Sequence, residues 1–365
     1  MNIPQYMPTV TEDDIASVSA YLKSGGFITE YKYSRDFEKK LAEISQTKYA
    51  VLFPNGTLTM FSIMKCLDLQ KTDKVLVPNY TMAATAFAPI EAGFEVKFAD
   101  VEFPTLTLNL EIIKKECEKD RNIKVIFLVS ANGREPNDGI ESIAEFCNTN
   151  NLYLIEDAAQ GLGSTYRNGK PVGSASLASS ISFSMPKIIT TGQGGVVLTN
   201  SSRLFKKLQN YRDFGRLKSG NDIHNSIGLN LKFTDLQAVL GISQLNNIQK
   251  RVDKKKRIFQ LYKQGINSEF IKIIDNPQNV APWFIEIISD HRDQLIQYLC
   301  KNGIGNRIMY PPLNSQESFK YHPQYKYKFK NSEIIGRKGL WLPSFFHITH
   351  EQINFIIDKL NNFKI

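Results

Sequence analysis

Short apolar segments alternate with amphipathic segments over the first two-thirds of this chain. We expect six apolar segments to be strands: Lys74–Pro78, Val96–Val101, Lys124–Val129, Leu152–Asp157, Ile181–Met185 and Gly195–Asn200. Helical repeats of apolar residues lie between them, at Leu58, Phe61, Met64 and Leu67 and at Ile140, Ile143, Ala144 and Cys147. Strands that alternate with helices predict an α/β fold whose mostly parallel sheet is covered on both faces.

The pattern changes after about residue 234. A long helical segment is predicted from Thr234 through Tyr262. Four elements are expected beyond it: a strand over Trp283–Ile288, a helix near Asp290–Asn302, a proline-containing segment over Asn306–Leu313 and a helix near Thr349–Phe363. We therefore predict a large domain over residues 1–245 and a smaller C-terminal α+β domain over residues 246–365.

The composition excludes several classes of protein. The chain has 365 residues, of which 42% are hydrophobic and 22% charged, so it can form a large core and is not predicted to be disordered. No apolar run approaches the ~20 residues of a membrane-spanning helix, and the N-terminal residues lack the pattern of a secretory signal. The four cysteines form no CxxC pair, so we predict a cytoplasmic chain with reduced thiols and no metal site.

The net charge is +9, from 45 Lys and Arg against 36 Asp and Glu. A charge of this sign fits nucleic acid or an anionic small substrate. The basic residues are scattered, and the run from Lys254 to Arg257 lies in a helix-like segment, where a solvated face accounts for it. We predict no nucleic-acid partner, and DNA binding stays an alternative that rests only on net charge.

Several motifs of known chemistry are absent from the sequence, namely GxxxxGK[ST], HExxH and GxSxG. The closest match to a dinucleotide fingerprint is Gly161-Leu162-Gly163, which lacks the third glycine and the spacing. A nicotinamide-binding site is therefore not predicted.

The segment Phe53-Pro54-Asn55-Gly56-Thr57 directly precedes a predicted helix. Small residues let the backbone approach a ligand there, and the free N–H groups at the start of the helix favour a phosphate. The alternative is an ordinary helix cap by Asn55 or Thr57.

A second segment is an apolar strand that ends in Glu156 and Asp157, followed by small residues and Gln160. Ligands of open parallel sheets bind at the carboxyl ends of the strands. A carboxylate at Asp157 is suited to pair with a cationic ring nitrogen, and Gln160 is suited to donate to a nearby oxygen. The alternative is that Asp157 caps a helix.

In a third segment, Lys187 lies among apolar residues. Ser182 and Ser184 precede it in the sequence, and a glycine-rich turn follows it. Burial disfavours an ammonium and lowers its pKa, and a neutral lysine amine forms Schiff bases with carbonyls. The alternative is a surface turn whose lysine extends to solvent.

Taken together, the three segments fit one cofactor, pyridoxal phosphate. This cofactor requires a cradle for its phosphate, a lysine for its aldehyde and an acid that keeps its pyridine nitrogen protonated. The sequence supplies them in the order phosphate turn, Asp157 and Lys187.

Along nearly its whole length, the sequence resembles the DegT/DnrJ/StrS sugar aminotransferases, which are fold-type I pyridoxal phosphate enzymes. The resemblance rests on Asn55-Gly56-Thr57, Pro78-Asn79-Tyr80-Thr81, Glu156–Gln160, Tyr166, Gly169–Ser174, Ser182-Phe183, Lys187–Gly195, Gly228–Thr234, Gln237-Ala238, Gln244-Leu245, Asn306-Arg307, Tyr310-Pro311 and Leu342-Pro343-Ser344. The block at Asp157 joined to the block at Lys187 is its most specific part.

The resemblance implies roles for individual residues. Lys187 resembles the catalytic Schiff-base lysine that moves a proton between Cα and the cofactor C4′. Asp157 resembles the partner of the pyridine nitrogen, and Gln160 the partner of the ring hydroxyl. The implied phosphate ligands are Gly56, Thr57 and Ser182. Asn230 is similar to the family asparagine that reaches the phosphate of the neighbouring subunit, which implies a homodimer with shared active sites.

The sequence departs from the family pattern at two places. Met82 stands where the family has an aromatic ring over the cofactor, and we expect its thioether to pack on the ring face with altered stacking. Ser130-Ala131-Asn132-Gly133 stands in place of a His-x-Tyr-Gly pattern, which we expect to alter the substrate pocket.

The resemblance is strongest to the perosamine- and viosamine-forming branch, on the C-terminal blocks at Tyr310 and Leu342. It implies transfer of an amino group from L-glutamate to C-4 of a nucleotide-linked 4-keto-6-deoxyhexose, in the biosynthesis of deoxyamino sugars for polysaccharides or other glycans. Arg307 and Tyr310 are the implied substrate-binding residues. Lys232 and Arg212 are further candidates for the diphosphate, with ion pairs as their alternative.

Other functions remain open at this stage. They are a 3-aminotransferase acting on a nucleotide-linked 3-keto sugar, a dehydratase that retains the lysine, and a non-catalytic regulator that binds pyridoxal phosphate. Lys187 argues against the family's sugar dehydratases, which have histidine at that position.

Overall fold

The computed structural model describes residues 1–216 and 221–365. Its helices are α1 (Glu12–Lys23), α2 (Lys32–Ile44), α3 (Gly56–Cys66), α4 (Ala84–Glu91), α5 (Leu110–Lys119), α6 (Ile140–Thr149), α7 (Ser202–Arg212), α8 (Asp235–Asn246), α9 (Ile248–Gly265), α10 (Arg292–Lys301), α11 (Lys330–Lys338) and α12 (His350–Asn361). Its strands are β1 (Tyr49–Phe53), β2 (Lys74–Pro78), β3 (Glu95–Ala99), β4 (Ile123–Val129), β5 (Tyr153–Asp157), β6 (Ala178–Ser182), β7 (Gly195–Thr199), β8 (Lys272–Ile273), β9 (Ile285–Ile288), β10 (Arg307–Ile308) and β11 (Gly339–Leu342).

Seven strands form the main sheet in the order β1-β7-β6-β5-β4-β2-β3. The strands from β6 to β3 run parallel, whereas β7 is antiparallel to both of its neighbours, β6 and β1. Successive side chains of a strand enter separate cores on the two faces, as Leu76 does on one face and Val75 and Val77 do on the other. The predicted α/β fold, with a mostly parallel sheet covered on both faces, is confirmed.

Side chains cover both edges of this sheet. On the outer edge of β3, the Gln324 amide bonds to both the N–H and the C=O of Phe98, at 2.8 and 2.9 Å. On the outer edge of β1, Glu38 accepts from the Leu52 N–H at 2.9 Å, and Arg212 donates to the Leu52 carbonyl at 3.0 Å. The backbone groups at these edge positions are therefore paired within the chain.

Two predicted elements are wrong in their bounds. The strand expected over Ile181–Met185 is β6, which runs from Ala178 to Ser182. Three of its five residues are buried serines, and the Ser180 hydroxyl lies 2.5 Å from the Thr59 hydroxyl, so the strand has little apolar signal. The helix expected from Thr234 through Tyr262 is two helices, because the backbone at Asn247 leaves the helical region between α8 and α9.

The two predicted apolar repeats differ in how well they match the buried faces of their helices. Ile140, Ile143 and Cys147 on α6 are buried as predicted. On α3 the buried face is offset from the predicted one: Met64 is buried, whereas Leu58 and Phe61 are only partly buried.

A second sheet, in the order β10-β11-β9-β8, is antiparallel and lies wholly after residue 245. It shares a core with α9, α10 and α12, and Ile3 from the N-terminus packs into the same core. Because the N-terminus joins this core, the domain division at residue 245 stays a prediction. Within the described residues, no helix is both long and apolar enough to cross a membrane.

Candidate active site

The strand register brings the first and third predicted segments together. Gly195, the first residue of β7, pairs with Phe53 at the end of β1 and with Ser182 at the end of β6. The next strand, β5, ends at Asp157 beside β6. The phosphate turn, the acid and the lysine segment therefore meet at one edge of the sheet.

The turn before α3 forms a cradle. Asn55 caps the helix by accepting from the Leu58 N–H at 2.9 Å, so the capping alternative is also realised. A Cβ at Gly56 would lie 3.1 Å from the Ser182 Cβ, and a Cβ at Gly195 would lie 2.8 Å from the Gly56 nitrogen. The N–H groups of Gly56 and Thr57 belong to the first turn, which has no intrahelical acceptors for them, and this arrangement suits a phosphate.

Asp157 is buried at the carboxyl end of β5. Its Oδ2 accepts from the Thr85 hydroxyl at 2.6 Å, and its Oδ1 accepts from the Ala159 N–H at 3.2 Å. Burial raises the pKa of this carboxyl, while the Thr85 hydrogen bond and the Lys187 charge oppose the rise. No helix begins between β5 and β6, so the helix-cap alternative is wrong. The buried carboxylate is suited to hold a proton on a cationic ring nitrogen.

Gln160 lies just beyond this strand end. Its Oε1 accepts from the backbone N–H of Asn132 at 2.6 Å. The Nε2 group is the end of the amide left to donate, as the predicted contact with a ring hydroxyl requires.

Lys187 is half-buried, and it lines a small crevice together with Gln160, Ser182 and Trp283. Its Nζ lies 4.2 Å from the centre of the Trp283 ring. Burial lowers the pKa of the Lys187 amine to about 8, while Asp157 opposes the shift and Arg307 adds to it. A substantial fraction of the amine is therefore neutral near pH 8, as a nucleophile requires.

Trp283 was missed by the sequence analysis, which placed it only in a strand. Its indole N–H donates to the Pro186 carbonyl at 2.7 Å, and its own carbonyl accepts from Lys255 at 2.6 Å. Trp283 thus anchors the lysine segment from a position almost 100 residues away in sequence, where no local motif marks it.

The predicted substrate residues lie on and after β10. Arg307 is exposed, and its guanidinium lies 5.5 Å from the centre of the Trp341 ring. Tyr310 packs edge-on against Trp341 at 4.8 Å and lies 5.9 Å from Tyr80. Burial raises the pKa of the Tyr310 phenol, and the Arg307 charge opposes the rise. Trp341 lies 5.4 Å from Trp283, the ring that contacts Lys187, so Tyr310, Trp341 and Trp283 form an aromatic wall between Arg307 and the lysine.

Met82 lies between Tyr80 and α4, with 49% of its surface exposed. Its sulfur lies 3.0 Å from the backbone nitrogen of Ala84. Thr85, three residues further along, carries the hydroxyl that binds Asp157. Contact of Met82 with the cofactor ring stays a prediction.

Arg212 and Lys232, the further candidates for the diphosphate, form ion pairs. Arg212 is buried between Glu30 and Glu38, at 2.7 and 2.6 Å, and Lys232 pairs with Asp213 at 2.6 Å. The ion-pair alternative is the one that the structure supports for both.

Asn230 is exposed and does not line the Lys187 crevice of its own chain. It forms a β-bridge with Asp213 and follows a segment in which Ile223 and Ile227 are 65% and 92% exposed. Its predicted contact with the phosphate of a neighbouring subunit stays a prediction.

A buried ion pair beneath the site was also missed. Arg134, in the loop after β4, pairs with Glu286 of β9 at 2.7 Å, and both side chains are 2% exposed. Glu286 also accepts from the Trp341 indole N–H at 3.2 Å. The pair joins the main sheet to the second sheet directly behind the aromatic wall.

These residues fit pyridoxal phosphate. The cradle at Gly56 and Ser182 matches its phosphate, Asp157 matches its pyridine nitrogen, and Lys187 offers an amine for its aldehyde.

Comparisons with known proteins agree with this geometry. Residues 8–361 match the model of the DegT/DnrJ/EryC1/StrS aminotransferase family. The GDP-perosamine synthase of Escherichia coli O157:H7 is 30% identical over 99% of this chain and 98% of its own, and that of Vibrio cholerae is 28% identical over 99% of each. The solved structure of Helicobacter pylori PseC, an aminotransferase of pseudoaminic acid biosynthesis, superposes with a TM-score of 0.92 at 23% identity, covering 99% of this chain and 98% of that one. The chain belongs to the DegT/DnrJ/EryC1/StrS family and is a pyridoxal phosphate-dependent aminotransferase.

Proposed function

We propose that this enzyme transfers an amino group from L-glutamate to C-4 of a nucleotide-linked 4-keto-6-deoxyhexose, giving a product of the viosamine or perosamine type. The observation that carries the proposal is the end-to-end match, at 30% and 28% identity, to two GDP-perosamine synthases. Catalysis is supported by Lys187 and Gln160, which line one crevice, and by Asp157, whose charge acts on the Lys187 amine.

Each side chain of the site would have a distinct role in the reaction. The cofactor supplies an aldehyde for the donor's amino group and a protonated ring that withdraws electrons from Cα. Asp157 holds the ring proton, and Gln160 donates to the ring hydroxyl. Lys187 moves a proton between the donor Cα and the cofactor C4′, because an amine with a pKa of about 8 both accepts and returns a proton near neutral pH.

The remaining residues bind and orient the cofactor and the sugar nucleotide. The N–H groups of Gly56 and Thr57 and the Ser182 hydroxyl hold the phosphate of the cofactor. Arg307 is exposed and close enough to Lys187 for its charge to lower the pKa of that amine, and it attracts the diphosphate of the sugar nucleotide.

The proposal includes a homodimer whose active sites contain residues from both subunits. Ile223, Ile227 and Leu229 are large apolar side chains exposed on one segment next to Asn230, and such patches mark interaction surfaces. The same proposal places the enzyme in the cytoplasm, where free thiols such as that of the exposed Cys300 persist.

A regulatory protein is the second candidate. The Pleiotropic regulatory protein of Geobacillus stearothermophilus is 25% identical over 91% of this chain. A regulator without catalysis would bind the cofactor and leave it unchanged by amino donors.

Absorbance spectroscopy tests the two candidates. We expect the purified chain with pyridoxal phosphate to show a visible band that L-glutamate converts to a near-ultraviolet band. The visible band should be lost in Lys187→Ala and retained in Lys255→Met. Lys255 is a matched control because burial lowers its pKa to about 7, yet its Nζ is bound to the carbonyls of Trp283 and Ser344. A band that glutamate leaves unchanged supports the regulator.

Product analysis then tests the sugar. We expect amination of 4-keto-6-deoxyhexoses linked to UDP, dTDP or GDP, with the new amine located at C-4 by NMR. Amination at C-3 of a 3-keto sugar would overturn the C-4 assignment and leave the aminotransferase intact.

Mixing of variants tests the shared site. Lys187→Ala and Asn230→Ala subunits, each inactive alone, should together recover about a quarter of the wild-type activity, since half of the dimers are mixed and each of those holds one complete site. No recovery on mixing would contradict a shared site.

A further inference from the structure

Asn132 lies in a short turn after β4 with a backbone φ of 55°, in the left-handed region. This conformation is uncommon outside glycine, and asparagine tolerates it better than most residues. It directs the Asn132 N–H at the Oε1 of Gln160, 2.6 Å away.

The Asn132 side chain is fully buried and points to the second sheet. Its Nδ2 donates to the Phe284 carbonyl at 3.0 Å, and its Oδ1 accepts from the Phe284 N–H at 3.0 Å. The same Nδ2 lies 3.2 Å from the Glu286 carboxylate, which Arg134 also binds. Phe284 directly follows Trp283, so one residue connects Gln160 to the segment that contacts Lys187.

The contact with Gln160 decides which end of that amide faces the cofactor. An amide has an accepting and a donating end of nearly the same shape, and only the oxygen accepts from a backbone N–H. With Oε1 held by Asn132, Nε2 is the end that remains for a ring hydroxyl.

We propose that Asn132 is a positioning residue that fixes the orientation of Gln160 and links it to the docking of residues 283–286. The inference rests on the proposed role of Gln160, but it is independent of the sugar and of the amino donor. It gives a purpose to the segment Ser130–Gly133, where this sequence departs from the family pattern.

A double-mutant cycle on cofactor affinity tests the proposal. Asn132→Gly keeps the left-handed backbone without strain and removes both bonds to Phe284. We expect it to weaken pyridoxal phosphate binding about tenfold and to shift the midpoint pH of the visible band, because the Gln160 contact loses its support. In the Gln160→Leu background the same change should alter the dissociation constant by less than about twofold.

Asn314→Ala is the matched control. Asn314 is a buried asparagine that exchanges two hydrogen bonds of 2.9 Å with Asn79 and does not contact Gln160. This variant should lose stability and retain the affinity and the band midpoint of the wild type.

Equal weakening by Asn132→Gly in both backgrounds, or no weakening in either, would overturn the proposal. If Asn132→Gly fails to fold, Asn132→Asp combined with Glu286→Gln replaces it, because this pair tolerates the same backbone, keeps a single carboxylate beside Arg134 and loses the Nδ2 donor to Phe284; the same dependence on Gln160 is expected. If the chain binds the cofactor but L-glutamate leaves the visible band unchanged, the proposed function is refuted. The double-mutant cycle can still be measured, because it depends only on cofactor affinity.

Discussion

The Nζ of Lys187 lies 4.2 Å from the centre of the Trp283 ring. The indole N–H of Trp283 binds the Pro186 carbonyl, one residue before the lysine, so the tryptophan contacts both the catalytic amine and its backbone. A tryptophan face stabilises an ammonium by about 0.5–2 kcal/mol. The ring therefore stabilises the protonated form of Lys187.

Substitution of Trp283 should slow proton transfer, and the effect should be larger for Leu than for Phe. Trp283→Phe keeps an aromatic face but loses the N–H, and we expect about a threefold slower conversion of the visible band by glutamate. Trp283→Leu loses the ring as well and should be slower by about tenfold. Stopped-flow absorbance at one fixed pH measures both rates. If the two variants are equally slow, the ring face has no role.

The pH dependence of cofactor capture should follow the Lys187 amine. Only the neutral amine reacts, so the rate at which the apo chain regains the visible band should rise with pH through a midpoint of about 8. The Arg307 charge adds to the lowering of this pKa. Arg307→Gln should therefore move the midpoint to higher pH, by roughly half a unit.

Arg203→Gln is the control for this shift, because Arg203 is exposed and pairs with Asp68 at 2.8 Å. It should leave the midpoint unchanged. A midpoint in Arg307→Gln that stays fixed or moves to lower pH would show that Arg307 does not act on the lysine.

Asp157→Asn should separate cofactor binding from catalysis. The amide lacks the charge that stabilises a protonated ring nitrogen, so the visible band should form while its conversion by glutamate slows about 100- to 1,000-fold. Thr85→Val removes the 2.6 Å hydrogen bond to Asp157 and should slow conversion about tenfold. Single-turnover rates check both values, and Asp157→Asn with more than a tenth of the wild-type rate would contradict the assigned role.

The buried pair of Arg134 and Glu286 should matter for stability. Arg134→Met leaves a buried carboxylate without its cation and should lower the free energy of unfolding by about 3–5 kcal/mol. Adding Glu286→Gln removes the charge, keeps an acceptor for the Trp341 indole N–H and should restore part of the loss. Asp275→Asn breaks an exposed ion pair with Lys263 and should change the free energy of unfolding by less than about 1 kcal/mol. Urea unfolding followed by circular dichroism compares the three, and equal losses in Arg134→Met and Asp275→Asn would contradict the prediction.

The sequence was informative where chemistry depends on neighbouring residues. Gly56, Asp157 and Lys187 each lie in a local pattern with a physical meaning, and the strand register brings these patterns together. The strand β1 was not predicted, although it ends at the phosphate turn, because five residues without a clear alternation give little signal.

Contacts between distant segments could not be predicted. Asn132 and Phe284 are 152 positions apart, and nothing near either residue indicates the pairing. Arg212 was considered for a diphosphate because its partner Glu38, 174 positions away, is not visible as a partner in the sequence. Such pairs form only when the chain folds and brings these distant elements together.

The side chains on the two edges of the main sheet also limit how copies of this chain associate. Gln324 and the pair formed by Glu38 and Arg212 occupy backbone groups that an incoming strand would need. A second chain therefore cannot extend the sheet at these positions by adding a strand, and cross-β aggregation of the folded protein is blocked there. The exposed apolar segment beside Asn230 offers a loop surface for assembly instead.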